Sequence, residues 1–249
     1  MIRMEIIGGI ARLLIDQPLK RNAMTTAMFE ALPGLIAEAE TKKHVRAILL
    51  TSARAGIFCA GADIGELSAN ADNPDWRAAN QNAINAAQHA LARADRPTVA
   101  FVDGDCVGGG CGMALACDIR VATLKARFGI TPAKLGLVYP LHDTKLLVDL
   151  VGPGQAKRIL FTGDLLTAEE ALRIGLIDLI ADHPDELLAS ISANSLHSQR
   201  QSKAIVRRVL DGQAGDDAET LAMFAEAFEG PDFEEGVSAF LGKRKADFK

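Results

Sequence analysis

The chain alternates short apolar runs with stretches of helical periodicity through its first half. The apolar runs predict strands at residues 9–16, 45–51, 98–102 and 118–122. Apolar positions at helical spacing predict helices at residues 25–40, 74–94 and 108–116, although Pro33 and Gly34 are unfavourable inside the first. Short strands that alternate with longer helices favour an α/β core with parallel strand pairing.

The second half begins with a clearly bounded helix and then changes character. Thr167 stands three residues before Glu170, the spacing of a capping box, and Gly175 can supply a left-handed stop. After Pro184 only helical patterns follow, with a flexible turn expected at residues 212–217. We therefore expect an α/β core over residues 1–185 and a C-terminal helical region over residues 186–249.

Length and composition narrow the classes of function. A chain of 249 residues favours one catalytic domain with a smaller appendage. Hydrophobic residues at 49% and charged residues at 24% are typical of a soluble globular protein. The net charge of −5 argues against a nucleic-acid surface, although local cations can still hold an anionic ligand.

The cysteines and the hydropathy profile indicate a reduced compartment. Cys59, Cys106, Cys111 and Cys117 form no Cys-x-x-Cys pair and no zinc-finger spacing, so we expect buried, reduced thiols and no metal site. The first residues do not resemble a secretory signal, and no apolar run approaches the ~18 residues of a membrane span. We expect a cytoplasmic enzyme with no membrane or nucleic-acid partner.

Two glycine-bearing turns carry the candidate chemistry. Residues 58–64 follow the strand predicted at 45–51, and residues 102–112 follow the strand predicted at 98–102. The first amides of a helix lack backbone partners, and small residues let a ligand approach them closely. Two such ends together could hold one developing oxyanion. Taken alone, a Gly-Gly-Gly run is more typical of tight packing or of a loop than of an oxyanion site.

The same segments carry a resemblance to a known family. FCAGADIGEL and VDGDCVGGGCGMALACDIRVA resemble the two signature stretches of the crotonase (enoyl-CoA hydratase/isomerase) superfamily. IDQPLKRNAM, FTGDLLTAEEALRIGLID and FEEGVSAFLGKRKADF extend the likeness in the same order over nearly the whole chain. The resemblance implies a spiral of ββα units with a C-terminal helical part that forms homotrimers, often paired into hexamers.

The resemblance also implies how a substrate would bind. An acyl-CoA would place its thioester carbonyl between the backbone amides of Ala62 and Gly109, with coenzyme A present only as part of the substrate. The candidate CoA and acyl contacts are Lys20, Arg21, Ala23, Ala60, Asp63, Ile64, Gly108 and Pro132. Lys20 and Arg21 suit phosphate as charge-assisted donors, and the alternative for each is a solvated surface cation.

Two positions depart from the family pattern. Enoyl-CoA hydratases use two glutamates to add water, one that activates the water and one that gives a proton. By the resemblance, those positions here are Gly112 and Pro132. Neither residue can transfer a proton, so we do not expect the ordinary hydratase mechanism.

Tyr139 is a candidate replacement. The segment TPAKLGLVYP resembles a stretch of the methylmalonyl-CoA decarboxylases, in which the tyrosine lies at the reacting carboxylate. A phenol there can donate a hydrogen bond to an enolate or to a departing carboxylate. The alternative is a packed tyrosine with its hydroxyl in water. Those decarboxylases carry a histidine where this chain has Ala62.

Other polar residues have structural interpretations beside functional ones. His142 and Asp143 could perform acid–base work, or Asp143 could cap a helix that begins near Thr144 while His142 is exposed. His89 is expected on a solvated helix face that it shares with Gln88 and Arg93. Asp63 and Glu66 are expected to compensate the dipole of a short helix. Asp105 and Asp118 are expected to hold loops through bonds from their side chains to the backbone.

Three hypotheses remain open. The first is an enoyl-CoA hydratase/isomerase family enzyme that stabilises a thioester enolate. The second is a decarboxylase of a malonyl-type CoA ester, because loss of carbon dioxide generates the enolate without a strong base. The third is an acyl-CoA-binding homologue that has lost catalysis.

Overall fold

The computed structural model describes residues 1–248 and shows two sheets built from one repeating unit. A six-stranded sheet has the order β1-β2-β3-β5-β7-β10 and contains β1 Ile2–Ile7, β2 Ile10–Ile15, β3 Ala47–Ser52, β5 Thr98–Val102, β7 Ile119–Ala122 and β10 Leu179–Ile180. A four-stranded sheet has the order β4-β6-β8-β9 and contains β4 Ile57–Cys59, β6 Asp105–Val107, β8 Arg127–Gly129 and β9 Leu166–Thr167.

The helices follow the strands and then continue alone. Those within the α/β part are α1 Thr26–Thr41, α2 Ile64–Ala69, α3 Pro74–Ala92, α4 Gly109–Leu115, α5 Leu141–Thr162 and α6 Ala168–Arg173. Beyond Pro184 lie α7 Asp185–Ser192, α8 Leu196–Leu210, α9 Ala218–Glu229 and α10 Pro231–Leu241. The helix α5 kinks at Gly152, whose φ of 71° is left-handed, immediately before Pro153.

Each turn of the chain adds one strand to each sheet and then a helix. The sequence runs β3–β4–α2–α3, then β5–β6–α4, then β7–β8–α5, and the strands of successive turns pair in parallel. The antiparallel hairpin of β1 and β2 precedes this spiral, and β2 pairs in parallel with β3. The expected α/β spiral of ββα units is therefore confirmed.

The core lies between the sheets and around α4. From Gly110 to Leu115 every residue of this helix is buried, so α4 passes through the interior. The largest fully buried side chains include Phe29, Phe58 and Phe128, which come from α1 and from the two strands β4 and β8. Burying these aromatic side chains contributes on the order of 2–3 kcal/mol each to the free energy of folding.

Most predicted elements are present, but the shortest strands were missed. The helix predicted at 25–40 forms as α1 despite Pro33, and Thr98–Val102 is a strand as predicted. The amide of Glu170 donates to the Thr167 hydroxyl at 3.3 Å, and Gly175 has the expected left-handed φ of 78°. The missed strands are β1, the three-residue β4, β6 and β8, and the two-residue β9 and β10.

Two further expectations concern the chain as a whole. All four cysteines are buried and free of disulfide bonds, as predicted. None of the helices formed by residues 1–248 combines the length and the apolar character of a membrane span. Between residues 185 and 248 the regular elements are all helices, whereas the division into a core and a helical region at residue 185 stays a prediction.

Candidate active site

The two glycine-bearing turns begin next to each other, at the ends of two neighbouring strands. The strands β4 and β6 pair in parallel, with Cys59 opposite Cys106, so their carboxyl ends lie at the same edge of the small sheet. The chain after β4 forms a single bridge between Ala62 and Met24 and then enters α2. The chain after β6 enters α4 at Gly109. The fold thus brings together two turns that are far apart in sequence.

The amide nitrogens of Ala62 and Gly109 lie close together where these turns meet. A β-carbon built on Gly109 would lie 3.5 Å from the Ala62 nitrogen. At the Ala62 bridge the bonds to Met24 use the oxygen of Gly61 and the nitrogen of Asp63, at 2.8 and 2.9 Å. Within residues 1–248 neither the Ala62 nor the Gly109 amide donates a hydrogen bond, so both are free for a ligand.

Gly61 is required for this approach. Its φ of +105° is left-handed, and a β-carbon there would lie 3.1 Å from the Val107 oxygen and 3.6 Å from the Gly109 nitrogen. Any side chain would strain the turn and push the two amides apart.

The loop before α1 is fixed against the first turn by Asn22, whose role the sequence interpretation missed. The Asn22 amide group is buried, accepts from the Gln17 nitrogen at 2.8 Å and donates to Ser52 Oγ at 2.8 Å and the Phe58 oxygen at 3.1 Å. The Ala60 nitrogen donates to the Arg21 oxygen at 3.1 Å. The predicted CoA contacts on these two segments therefore lie next to each other.

The predicted phosphate-binding cations are paired with carboxylates in this structure. Lys20 forms an ion pair with Asp63, which also caps α2 by accepting from the Gly65 nitrogen at 3.0 Å. The Lys20 hydrogen bond holds the pKa of Asp63 below its usual range, and the backbone bonds of the cap act in the same direction. Asp63 thus performs its expected role at α2 and is buried, whereas the Lys20 side chain remains 56% exposed.

Arg21 shares its partner with a second arginine. Arg21 donates to Asp105 at 2.7 Å, and Arg127 donates to the same carboxylate at 2.8 and 2.9 Å. Two cations against one carboxylate leave a local positive charge, and both guanidinium side chains are more than half exposed. Arg127 was not among the predicted residues. Asp105 was expected to bond loop backbone, but it binds these two arginines instead.

Two other carboxylates bond backbone amides. Asp118 accepts from the Thr98 nitrogen at 2.7 Å, which is the loop-holding role expected of it. Glu66 was expected to compensate the dipole of its own helix, α2. It does lie in the first turn of that helix, and its Oε2 atom also accepts a hydrogen bond from the Thr26 nitrogen at the start of α1, at 2.9 Å. Glu66 therefore ties α2 to α1 beside the site.

A polar cluster surrounds Gly112, one turn after Gly109 on α4. A β-carbon built on Gly112 would lie 2.6 Å from Nε2 of Gln88, 2.8 Å from Oδ1 of Asp143 and 3.1 Å from Oη of Tyr139. The Tyr139 hydroxyl is buried, so the alternative that placed it in water is wrong. We call Gln88, Tyr139 and Asp143 the Gly112 cluster.

The structure corrects two of the expectations for these polar residues. Asp143 does not cap a helix: α5 begins at Leu141 after Pro140, without a side-chain cap, and Asp143 is only 2% exposed. Gln88 is fully buried and donates to Asp143 at 2.6 Å, so it does not belong to the solvated face of α3. His89 is exposed on that face, as expected.

The charge states in the Gly112 cluster follow from burial. Burial raises the pKa of Asp143, and the Gln88 hydrogen bond and the nearby His142 oppose that shift. Burial also raises the pKa of Tyr139 above its usual range, so the phenol keeps its proton and can donate. The thiol of Cys59, beneath α4, has its pKa raised by burial to about 12 and is inert as a nucleophile at neutral pH.

The remaining predicted contacts lie around these groups. Gly108 precedes α4, and its nitrogen donates to the Gly129 oxygen at 2.8 Å. Ile64 is exposed at the start of α2, and Ala23 is half-buried in the loop before α1. Pro132 begins a short 3-10 turn, Pro132–Leu135, that leads towards Tyr139.

Comparisons with known proteins agree with this architecture. The sequence model of the family described as enoyl-CoA hydratase/isomerase matches residues 5–249. A short-chain-enoyl-CoA hydratase from Clostridium acetobutylicum is 33% identical, over 98% of this chain and 95% of that protein. A 2,3-dehydroadipyl-CoA hydratase from Escherichia coli is 30% identical, over 95% and 94% respectively.

A solved structure shows the same fold. A crystal structure of an enoyl-CoA hydratase/isomerase family protein from Hyphomonas neptunium superposes with a TM-score of 0.95 at 40% identity, covering 100% of this chain and 97% of that one. The family match, the relatives and the shared fold all agree over nearly the whole length of the chain. The chain belongs to the enoyl-CoA hydratase/isomerase family of acyl-CoA enzymes.

Proposed function

We propose that this protein stabilises the enolate of an acyl-CoA thioester between the backbone amides of Ala62 and Gly109. The observation that carries the proposal is that these two amides converge and donate to no group within residues 1–248. Donors fixed in a buried site stabilise developing negative charge without reorganising, and removing one typically costs about 3–4 kcal/mol of transition-state stabilisation. An enolate oxygen is the species that two such donors favour over a neutral carbonyl.

The CoA portion is proposed to bind beside Lys20 and Arg21, with Ala23, Ala60, Ile64 and Gly108 as its backbone and apolar contacts. Arg21 and Arg127 carry one positive charge in excess of Asp105, which suits a phosphate. Lys20 is neutralised by Asp63 and contributes less charge. The phosphate affinity of this surface should therefore depend more on the two arginines than on Lys20.

The family name covers several reactions of such an enolate. Gly112 and Pro132, at the positions expected for the two hydratase glutamates, cannot transfer protons, which disfavours ordinary hydration. The Tyr139 hydroxyl favours decarboxylation as a second candidate, because a buried phenol can donate to a departing carboxylate. Asp143, which lies in the same cluster as Tyr139, opposes it in its ionised form, because that form would repel the carboxylate of a malonyl-type ester.

Acetoacetyl-CoA tests the enolate site directly, because its enolate absorbs in the ultraviolet and needs no catalytic step. Purified protein is expected to raise the enolate absorbance at a pH where free acetoacetyl-CoA is mostly in the keto form. No increase at saturating protein would contradict the proposal. Crotonyl-CoA, methylmalonyl-CoA and a 3-enoyl-CoA then separate hydration, decarboxylation and isomerisation, and turnover of none would leave an acyl-CoA-binding homologue.

The Tyr139→Phe variant tests decarboxylation, the second candidate reaction. Carbon dioxide release from methylmalonyl-CoA should fall by about tenfold or more if the phenol assists the departing carboxylate. An unchanged rate would remove Tyr139 from that reaction.

We also propose that the chain assembles as a homotrimer or hexamer through its C-terminal helices. Large apolar side chains are exposed there, including Phe224 on α9 and Phe240 on α10. An exposed apolar surface of this kind is typical of an interface between subunits. Light scattering should give three or six times the mass of 26.5 kDa, and a monomer would contradict the proposal.

A further inference from the structure

The Gly112 cluster is built by three separate segments that meet on one side of α4. Gln88 comes from α3, Tyr139 from the segment before α5, and Asp143 from the first turn of α5. Gly112 lies three residues after Gly109 on α4, which places the cluster about 4.5 Å along the helix from the Gly109 amide. That separation is short enough for one acyl group to reach both.

The cluster leaves polar atoms without protein partners. Gln88 Oε1, Tyr139 Oη and Asp143 Oδ2 are all buried, and none forms a hydrogen bond of good geometry within residues 1–248, although Tyr139 lies close enough to Asp143 to affect the pKa of both groups. A polar network that served only stability would be expected to satisfy these atoms, because an unpaired buried polar group is destabilising. Three unpaired atoms in one place indicate groups that are set to meet a ligand.

We propose that Asp143 is the catalytic acid–base group of this site and shuttles one proton between C2 and C4 of a 3-enoyl-CoA, with Gln88 as its positioning residue. The proposal rests on the enolate site at Ala62 and Gly109. The Gln88 hydrogen bond fixes Oδ1 of Asp143 and leaves Oδ2 for the substrate. The reaction class is therefore a shift of a double bond from C3=C4 to C2=C3.

The step balances without any other reagent. The Asp143 carboxylate removes a proton from C2, and the electron pair of that C–H bond moves through C1 onto the thioester oxygen held by the two amides. The Asp143 carboxylic acid then gives the same proton to C4. The enolate electrons re-form the C1=O bond, a C2=C3 double bond forms, and the C3=C4 double bond supplies the pair for the new C4–H bond.

One carboxyl suits this reaction better than the alternatives. Hydration needs one group to activate water and another to deliver a proton, whereas a proton shuttle reuses a single group. Burial raises the pKa of Asp143, which makes its ionised form a stronger base. The groups that face Asp143 are Gln88 from α3, Tyr139 from the preceding segment and His142 from its own helix, while Cys111 of α4 lies close to Tyr139.

The test uses trans-3-hexenoyl-CoA and follows its conversion to the 2-enoyl product. The Asp143→Asn variant is expected to lose isomerisation by a factor of about 10²–10⁴. It should still bind the acetoacetyl-CoA enolate within about threefold, since the amides are untouched. Asp149→Asn is the matched control on the same helix, because Asp149 pairs with Lys145 at the surface, and its rate should be unchanged.

Gln88→Leu tests the positioning role. The Gln88 hydrogen bond lowers the pKa of Asp143, so its loss should move the acid limb of the rate profile to higher pH. A merely structural role would lower stability without moving that limb. If Asp143→Asn does not fold, Gly112→Ala replaces it, because its methyl group would displace the side-chain ends of Gln88 and Asp143. Isomerisation should then fall by about tenfold or more, and an unchanged rate would overturn the role of Asp143.

Failure of the role of Asp143 and failure of the enolate site give different experimental results. Isomerisation by Asp143→Asn within tenfold of wild type would overturn the role of Asp143. Enolate binding by the wild type with no isomerisation and no exchange of the C2 proton with deuterium oxide would overturn it as well. Absence of enolate binding would instead contradict the proposed function.

Discussion

Gln88 donates a 2.6 Å hydrogen bond to Asp143 in the space that a side chain on Gly112 would occupy. This contact gives a physical reason why residue 112 is a glycine in this chain. Two long polar side chains from other elements converge there, so a glutamate at the same position would collide with both. We propose that the carboxylate of Asp143 on α5 takes the place of the glutamate expected at residue 112 on α4.

The first prediction concerns the restoration of a glutamate at this position. Gly112→Glu alone should destabilise the protein by about 1–3 kcal/mol, because it overpacks a filled space. It should also fail to hydrate crotonyl-CoA. In the double variant Gly112→Glu with Gln88→Ala, part of the lost stability should return, because the larger side chain gains room.

Urea unfolding of the two single variants, the double variant and wild type measures this coupling. Strictly additive effects of the two substitutions would contradict the shared space. If the wild-type protein hydrated crotonyl-CoA at ordinary enzymatic rates, that result would contradict the inference that Gly112 disfavours hydration.

The second prediction concerns stability against pH. Burial raises the pKa of Asp143 in the folded state, so the folded protein holds that proton more tightly than the unfolded chain. Between the ordinary carboxyl pKa and the raised one, Asp143 therefore makes stability fall as pH rises, and above the raised pKa the loss is complete. Asp143→Asn removes this effect, so its stability relative to wild type should increase through that window.

Denaturant unfolding of both proteins across the acidic and neutral range measures the difference. Asp149→Asn serves as the control, since that carboxylate lies at the surface. A difference in unfolding free energy that does not change with pH would contradict the raised pKa.

The third prediction concerns the CoA phosphates. Arg21→Ala or Arg127→Ala should weaken CoA binding by about tenfold, because each removes a charge-assisted donor to phosphate. The effect should diminish as salt is added. Lys134→Ala is a control at an exposed cation that pairs with Asp164 and does not contact Asp105. Calorimetric titration with CoA measures the affinity of the three variants. Equal affinities would show that the two arginines bind Asp105 and contribute nothing to CoA binding.

Much of the fold was predictable from sequence because its strands and helices have clear periodicity. The strands β4, β6 and β8 were missed because three residues are too few to show a period. Those strands place the two turns side by side, so the meeting of Ala62 and Gly109 came from the family resemblance and not from the pattern.

The Gly112 cluster was harder to predict, although one signal was present. Gln88 lies four residues after Ile84 and three before Leu91, which places it on the buried stripe of α3. A polar residue on an apolar stripe indicates a buried partner. Asp143 had no comparable signal, because its burial depends on how α5 packs against α4. The pairing of Arg127 with Asp105 depends on strand register in the same way.

The enolate site itself is tested most directly by comparing Gly109→Pro with Gly109→Ala. Gly109 is the first residue of α4, where proline fits the helix and removes only the amide proton. Alanine adds a similar β-carbon, which meets only ordinary contacts at 3.5 Å or more, and keeps that proton.

Affinity for the acetoacetyl-CoA enolate is the measurement. We predict a loss of about 100-fold for Gly109→Pro, of the order found when one such donor is removed, and a change below about threefold for Gly109→Ala. Equal affinity in the two variants would contradict the role of the Gly109 amide and with it the central claim.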